Sequence, residues 1–174
     1  MRLLTLILSL CIIACGCNQR IPIEEKFEEI KNSDYSSSAG FEIDTDMRHW
    51  TRYIVTFDNN TFFVWHGALW NRGKVKEIAS CGDSVVVLPY SKLMELEAAI
   101  DKMVDLSLNC LQVDEFCNVY LKLYWNDQCI YDFIRVQPGH SLDDVKERFH
   151  RNEDYVLYED DWYVHKECKE CKGR

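Results

Sequence analysis

Hydrophobic and polar positions along the chain fall into three patterns. Residues 3–14 form an apolar run broken only by Thr5 and Ser9. From about His49 the pattern becomes short segments rich in β-branched and aromatic side chains. Residues 52–57 and 61–65 flank Asp58-Asn59-Asn60, whose Asn residues tolerate positive φ, and so predict a hairpin. Asn71-Arg72-Gly73 predicts a turn into a strand over 74–79, and Gly82-Asp83 leads into another over 84–88 that stops at Pro89. Four consecutive strands predict a meander.

A helical period then takes over. Ser91 stands where an N-cap accepts an unpaired N–H, and Leu93, Leu96, Ile100, Met103 and Val104 follow at helical spacing. Lys92, Glu95, Asp101, Lys102 and Asp105 fall on the opposite side, as in a helix with one buried stripe. Residues 119–125 and 130–136 bracket Asn126-Asp127 as a late hairpin, and their successive apolar positions predict central strands with both faces covered. After Pro138-Gly139, Ser141 opens a shorter helix carrying Leu142, Val145 and Phe149, with Asp143 and Asp144 in the first turn, where the helix dipole favours negative charge. A last apolar piece, 155–158, precedes Glu159-Asp160-Asp161 and a charged tail. The order predicts an α+β fold: a mostly antiparallel sheet, meander plus late hairpin, with one long and one shorter helix packed on it.

Upstream, Pro22 starts a short helical pattern with Ile23, Phe27 and Ile30, which gives way to the polar, turn-rich stretch 32–40. Residues 18–46 therefore read as a tether, and 47–174 as a single domain with a charged, cysteine-containing tail. Composition agrees with one globular domain: 174 residues, 47% hydrophobic and 28% charged, with only 7 Gly and 3 Pro. A net charge of −9 is the wrong sign for nucleic acid and the right sign for a basic partner.

The apolar run at the start follows Met1-Arg2 and ends in Ala14-Cys15-Gly16-Cys17, the layout of an export signal. As a helix its twelve residues reach about 18 Å, short of the about 20 residues a bilayer core requires. This boundary resembles the lipobox of bacterial lipoproteins, in which an aliphatic, a variable and a small residue precede the cysteine that receives lipid. Ile12-Ile13-Ala14-Cys15 has the aliphatic residue three places before Cys15, whereas Cys17 has only Ala14 there. Parity points the other way: cleavage at Cys17 leaves Cys81, Cys110, Cys117, Cys129, Cys168 and Cys171, an even set. The motif favours Cys15 over Cys17. The resemblance implies signal and lipidation site over 1–17 and a palmitate-carrying anchor at the cell envelope. It also implies the outer membrane, because Gly16 or Asn18 rather than Asp follows the modified cysteine. The order of elements, with 82–91 leading into the long helix and Tyr131-Asp132-Phe133 in the late hairpin, resembles small domains of unknown function in bacterial lipoproteins over roughly 50–150.

In an oxidising compartment the six later cysteines tend to pair. Cys110 and Cys117 bracket a short connection, and a bond from Cys168 or Cys171 to Cys81 or Cys129 would hold the tail, contributing about 2–4 kcal/mol. His165-x-x-Cys168-x-x-Cys171 has the residue types of a zinc site but lacks a local fourth ligand, and thiolates are poor ligands where they oxidise. The Cys-x-x-Cys pair opens no helix that would lower its pKa, and Lys172 stands where attachment of a c-type haem requires His. The histidines at 49, 66, 140, 150 and 165 have no motif partner, and no nucleophile elbow, zincin or phosphate-loop signature is present. No cofactor or metal is implied. Trp65, Trp70 and Trp162 are candidates for a surface that stacks on a sugar ring or a partner chain. The expectation is a non-catalytic envelope module, immunity-like or an inhibitor, that meets a protein partner; a glycan bound on exposed tryptophan is the other reading. If the leader reading holds, labelled palmitate enters the protein, and changing both Cys15 and Cys17 to Ser releases it from membranes; retention of the double variant on washed membranes contradicts it.

Overall fold

The computed structural model describes residues 22–49, 51–66, 75–80, 87–125 and 129–169. The chain divides into two units, Met1–Lys31 and Asn32–Arg174. In the first, helix α1 (Ile23–Lys31) begins where the Pro22 carbonyl accepts the Lys26 N–H at 3.2 Å. Proline loses nothing at a helix start, where its missing N–H has no intrahelical partner. Glu24 and Glu25 in the first turn and Lys31 in the last complement the helix dipole.

The second unit is built on one nine-stranded sheet, so the fold is mixed α+β with the sheet dominant. Its strands are β1 (Phe41–Thr45), β2 (Arg52–Phe57), β3 (Asn60–His66), β4 (Val75–Ser80), β5 (Cys110–Val113), β6 (Val119–Trp125), β7 (Cys129–Arg135), β8 (Val156–Glu159) and β9 (Trp162–Cys168). The spatial order is β4-β3-β2-β1-β5-β6-β7-β9-β8, and every ladder is antiparallel. Helix α2 is Tyr90–Leu106 and α3 is Leu142–Arg148.

The hairpin of β2 and β3 turns on Asp58 (φ 50°) and Asn59 (φ 59°), two adjacent left-handed residues that match the twist of the flanking strands. The late hairpin β6–β7 forms where the sequence places it; its turn, 126–128, lies outside the described residues. Of the strand expected over 84–88, residues 84–86 lie outside the described residues, while Val87 and Leu88 are not in a strand. Ser91 does not cap α2. The cap is Pro89, whose carbonyl accepts the Leu93 N–H at 3.0 Å, which places Ser91 inside the first turn. Ser141 does cap α3, its hydroxyl accepting the Asp144 N–H at 3.2 Å.

Three strands depart from the reading of the sequence. Part of the expected tether is β1, which lies between β2 and β5 in the middle of the sheet. Its residues alternate, with Phe41 and Ile43 buried and Glu42 and Asp44 on the other side, so the acids that look like linker occupy one face of a strand. The short connection after α2 is β5, buried at all four positions. The charged tail is β9, in which Trp162 and Val164 are buried while His165, Lys166 and Glu167 give the segment its polar look.

Helix α2 sets the topology. It leads from edge strand β4 back to central β5, a distance of four interstrand spacings or about 19 Å. Its 17 residues extend about 25 Å. Leu96, Ala99, Ile100, Met103 and Leu106 are buried on its inner side. Three polar ties fix its position: Glu97 Oε1 accepts the Val75 N–H at 2.9 Å, Asp101 lies 3.2 Å from His66 Nε2, and Lys92 Nζ sits 5.5 Å from the Phe57 ring. The sheet face beneath carries Phe41, Ile43, Val55, Phe62, Val64, Leu111, Leu121 and Phe133. On the opposite face α3 places Val145 and Phe149 against Cys110, Tyr120, Ile134 and Val136.

A disulfide joins Cys129 to Cys168, directly opposite each other on β7 and β9 with Cα atoms 4.1 Å apart. Cys110 and Cys117 do not pair. Cys110 is buried under α3 and Cys117 is exposed in the loop after β5, so both remain thiols. Cys81 and Cys171 lie outside the described residues. Closing a loop of 39 residues restricts the unfolded chain, so Cys129→Ser is expected to lower stability by about 2–4 kcal/mol. It should also make β9 the first segment cut by protease; denaturant unfolding with limited proteolysis measures both, and a loss under about 0.5 kcal/mol contradicts the assignment.

Candidate functional site

Residues directly opposite on antiparallel strands share a face, so the ladder registers place distant residues side by side. One line runs across the sheet from Ala79 through Phe63, Ile54, Asp44, Cys110, Lys122 and Asp132 to His165. Its first three members are apolar and its last five titratable. A parallel line holds Thr61, Thr56, Glu42, Gln112, Tyr120 and Ile134.

The part under α3 is closed. Arg151, just beyond α3, lays its guanidinium 3.9 Å from the centre of the Tyr120 ring and donates to Gln112 Oε1 at 3.3 Å. Gln112 in turn donates to Glu42. Tyr155 stacks obliquely on His165 at 5.8 Å, and His165 Nδ1 lies 3.0 Å from the Asp154 carbonyl. Beneath this cover Asp132 is 4% exposed, and its nearest cation, Lys122 Nζ, is 3.9 Å away. Burial raises the Asp132 carboxyl above the usual range, opposed by Lys122 and Arg151. Burial also pushes up the Cys110 thiol, as do the charge and hydrogen bond of Asp44, so the thiol stays protonated at neutral pH and is no nucleophile. Tyr120 Oη, Asp132 Oδ1, Arg151 Nε and Tyr155 Oη are all buried without a hydrogen-bond partner.

The part over β1–β4 carries no described helix and is half-exposed. Here Phe63 and Trp65, two apart on β3, hold their ring centres 6.1 Å apart. Arg52 spans both rings at 4.6 and 5.5 Å while its Nε donates to Asp46 at 2.6 Å. Ile54, Glu42 and Asp44 continue this surface toward β5. At its end a hollow of about 350 Å³ is lined by Glu42, Asp58, Gln112, Asp114 and Arg148. The Arg148 charge is already met, Nη1 lying 3.2 Å from Asp114 Oδ2.

The candidates from the sequence separate accordingly. Trp65 reaches the open surface; Trp70 lies outside the described residues. Trp162 is 1% exposed, edge-on to Tyr35 at 6.4 Å and beside the Arg135 guanidinium, so it is packing and cannot stack on a ligand. Cys168 is held in the disulfide and offers no thiolate for a metal, and no metal-holding group of acids, His and Cys occurs among the described residues. Asp143 and Asp144 serve the start of α3, where the Ser141 hydroxyl keeps Asp144 below the usual range, and Asp161 accepts from Arg135 at 2.9 Å. Sequence reasoning missed Asp44, Arg52, Phe63, Lys122, Asp132 and Arg151. Alternation along 41–45 was the available signal for Asp44; the others meet only through register.

Comparison of the chain with protein-family models, curated proteins and solved structures finds no match.

Because the folded-state pKa of Asp132 is raised, its charge opposes folding at neutral pH, and the penalty is relieved as pH falls through the raised value toward 3.8. Asp132→Asn should therefore lose stability relative to the native protein as pH falls through that window. Lys122→Met removes the opposing cation, should cost about 1–3 kcal/mol at neutral pH, and should move the window upward. Chemical denaturation of the three proteins across pH tests this; parallel pH profiles contradict it.

Proposed function

We propose that this chain is a lipid-anchored cell-envelope protein, held at the outer membrane through Cys15 or Cys17, whose domain binds a basic protein partner and does not transform it. The observation that carries the reading is the open half of the sheet. Phe63, Trp65 and Ile54 provide apolar and ring surface there, and Glu42 and Asp44 border it with negative charge. Aromatic anchors beside charges of one sign are what a complementary interface uses, the rings for affinity and the charge for rate of encounter. An immunity-like or inhibitory role fits an acidic domain with a basic target. The closed half supports binding over catalysis, since its thiol is protonated and covered.

A second reading has its own observation. Two rings at alternate positions of one strand, with Arg52 across them, form a step on which a sugar could stack.

Pull-down from envelope extracts at low salt should recover a basic protein, and Trp65→Ala should weaken its retention by about tenfold, a loss in the range of a truncated interface anchor. Recovery of no protein above background removes the first reading. Tryptophan fluorescence titrated with cell-wall and dietary glycans addresses the second, which a flat response removes.

A further inference from the structure

Residues 151–155, between α3 and β8, lie over the sealed part of the sheet and are held there by side chains. Among the described residues no backbone–backbone hydrogen bond joins them to a strand; the one they make runs from the Arg151 N–H back to the Lys146 carbonyl at 2.8 Å. His150, at φ 55°, ends α3 in a left-handed conformation, so the chain leaves the helix axis there. The ties to the sheet are Arg151 on the Tyr120 ring and on Gln112, Tyr155 against the His165 ring, and the Asp154 carbonyl 3.0 Å from His165 Nδ1.

This contact is polar on both sides and poorly matched. Arg151 Nε and Tyr155 Oη on the segment, and Tyr120 Oη and Asp132 Oδ1 on the sheet beneath, are buried without a hydrogen-bond partner. A packed interface pairs such groups or excludes them, because an unpaired group loses its bonds to water and gains none. All four regain those bonds if the segment lifts, so the groups that closure buries favour opening. Asp132 adds a charge to the balance. Facing it are Lys122 and Tyr120 from β6, His165 from β9, and Arg151, Glu153 and Tyr155 from the segment. Burial, with Glu153, holds its carboxyl above the usual range against Lys122, Arg151 and His165. The closed form therefore binds a proton more tightly than a form open to water, and closure strengthens as pH falls through the raised value toward 3.8.

We propose that residues 151–155 form a strap that opens and closes as a unit over Tyr120 and Asp132 while the sheet stays folded. Opening frees Gln112, which links Arg151 to Glu42, and joins Tyr120 and Asp132 to the half-exposed surface on which Glu42 lies. The strap thus sets how much of that face is available. The inference does not depend on what the surface binds.

Hydroxyl-radical footprinting of the full chain in neutral detergent, read residue by residue by mass spectrometry, tests it. Tyr120 is 0% exposed and is oxidised only through opening; Tyr124, 44% exposed on the same strand, is the reference, and Phe133, 0% exposed on the other face, reports global unfolding. The Tyr120 to Tyr124 ratio should fall about threefold or more between about pH 7.5 and about pH 4, with Phe133 unchanged. His165 and Glu153 also titrate, so Asp132→Asn isolates the carboxyl and should flatten this fall. Tyr155→Phe removes an unpaired hydroxyl and keeps the ring, so it should lower the ratio by about fivefold or more at neutral pH. Three results overturn the inference: Tyr120 oxidation that tracks Phe133 in every condition, which makes exposure global unfolding; the same pH profile in the native protein and Asp132→Asn; or a raised ratio in Tyr155→Phe, which assigns that hydroxyl a partner in the closed form, such as an ordered water. Should Asp132→Asn fail to fold, the first and third comparisons still decide.

Discussion

Two runs of strands, β2 through β4 on one side and β6 through β9 on the other, are joined within the sheet by the ladder between β1 and β5. Its centre is the pair Ile43 and Leu111, both fully buried, and the ladder continues at both ends, where the Gly40 N–H reaches the Val113 carbonyl at 2.7 Å and the Thr45 N–H reaches Asn109 at 2.9 Å. Gly40 holds φ 81°, a conformation that costs glycine little and lets the chain turn directly into β1. Helix α2 reinforces the seam from one face, because a chain leaving β4 must cross three strands before it can enter the sheet again as β5.

The two faces follow from that seam. One is apolar almost throughout and is buried with α2, which makes it the larger part of the core. Among the described residues the other has only the short α3 and the segment after it for cover, so it divides into a sealed part and an open part. Sealing strands four buried polar atoms without partners, a condition that costs about 1–3 kcal/mol for each group. Arg151 limits the loss by stacking on Tyr120 and reaching Gln112, through which the sealed part connects to Glu42 on the open one. The Cys110 thiol and the Asp132 carboxyl therefore lie buried, while the Phe63 and Trp65 rings and the Glu42 and Asp44 carboxyls lie on the half-exposed part.

Local signals carried a good part of this. Turn residues with tolerance for positive φ gave the hairpin at Asp58-Asn59, period-2 and helical patterns gave β2, β3, β6, β7, α2 and α3, and Ser141 gave a cap that forms. The failures also have causes. Segment β5 is four residues long and contains Gln112, β1 carries acids on alternate positions, and β9 mixes Trp162 and Val164 with His, Lys and Glu; in such short stretches polar residues among the apolar ones resemble loop. Trp162 has the composition of a binding residue and the environment of a core residue, and only its neighbours distinguish the two.

What the sequence determined by itself is whatever depends on residues near one another in the chain: the turns, the helix faces, the class of fold and the acidic charge. The tertiary structure decided which strands are neighbours, and hence that Cys129 meets Cys168, that Cys110 stays a thiol beside Asp44, and that Phe63, Ile54, Asp44, Lys122 and Asp132 fall in one line. The reason is physical. Propensity and periodicity act over a few residues, whereas ladder register is set by burying apolar faces against one another across long sequence separations, and a shift of a single residue would turn every side chain to the opposite face.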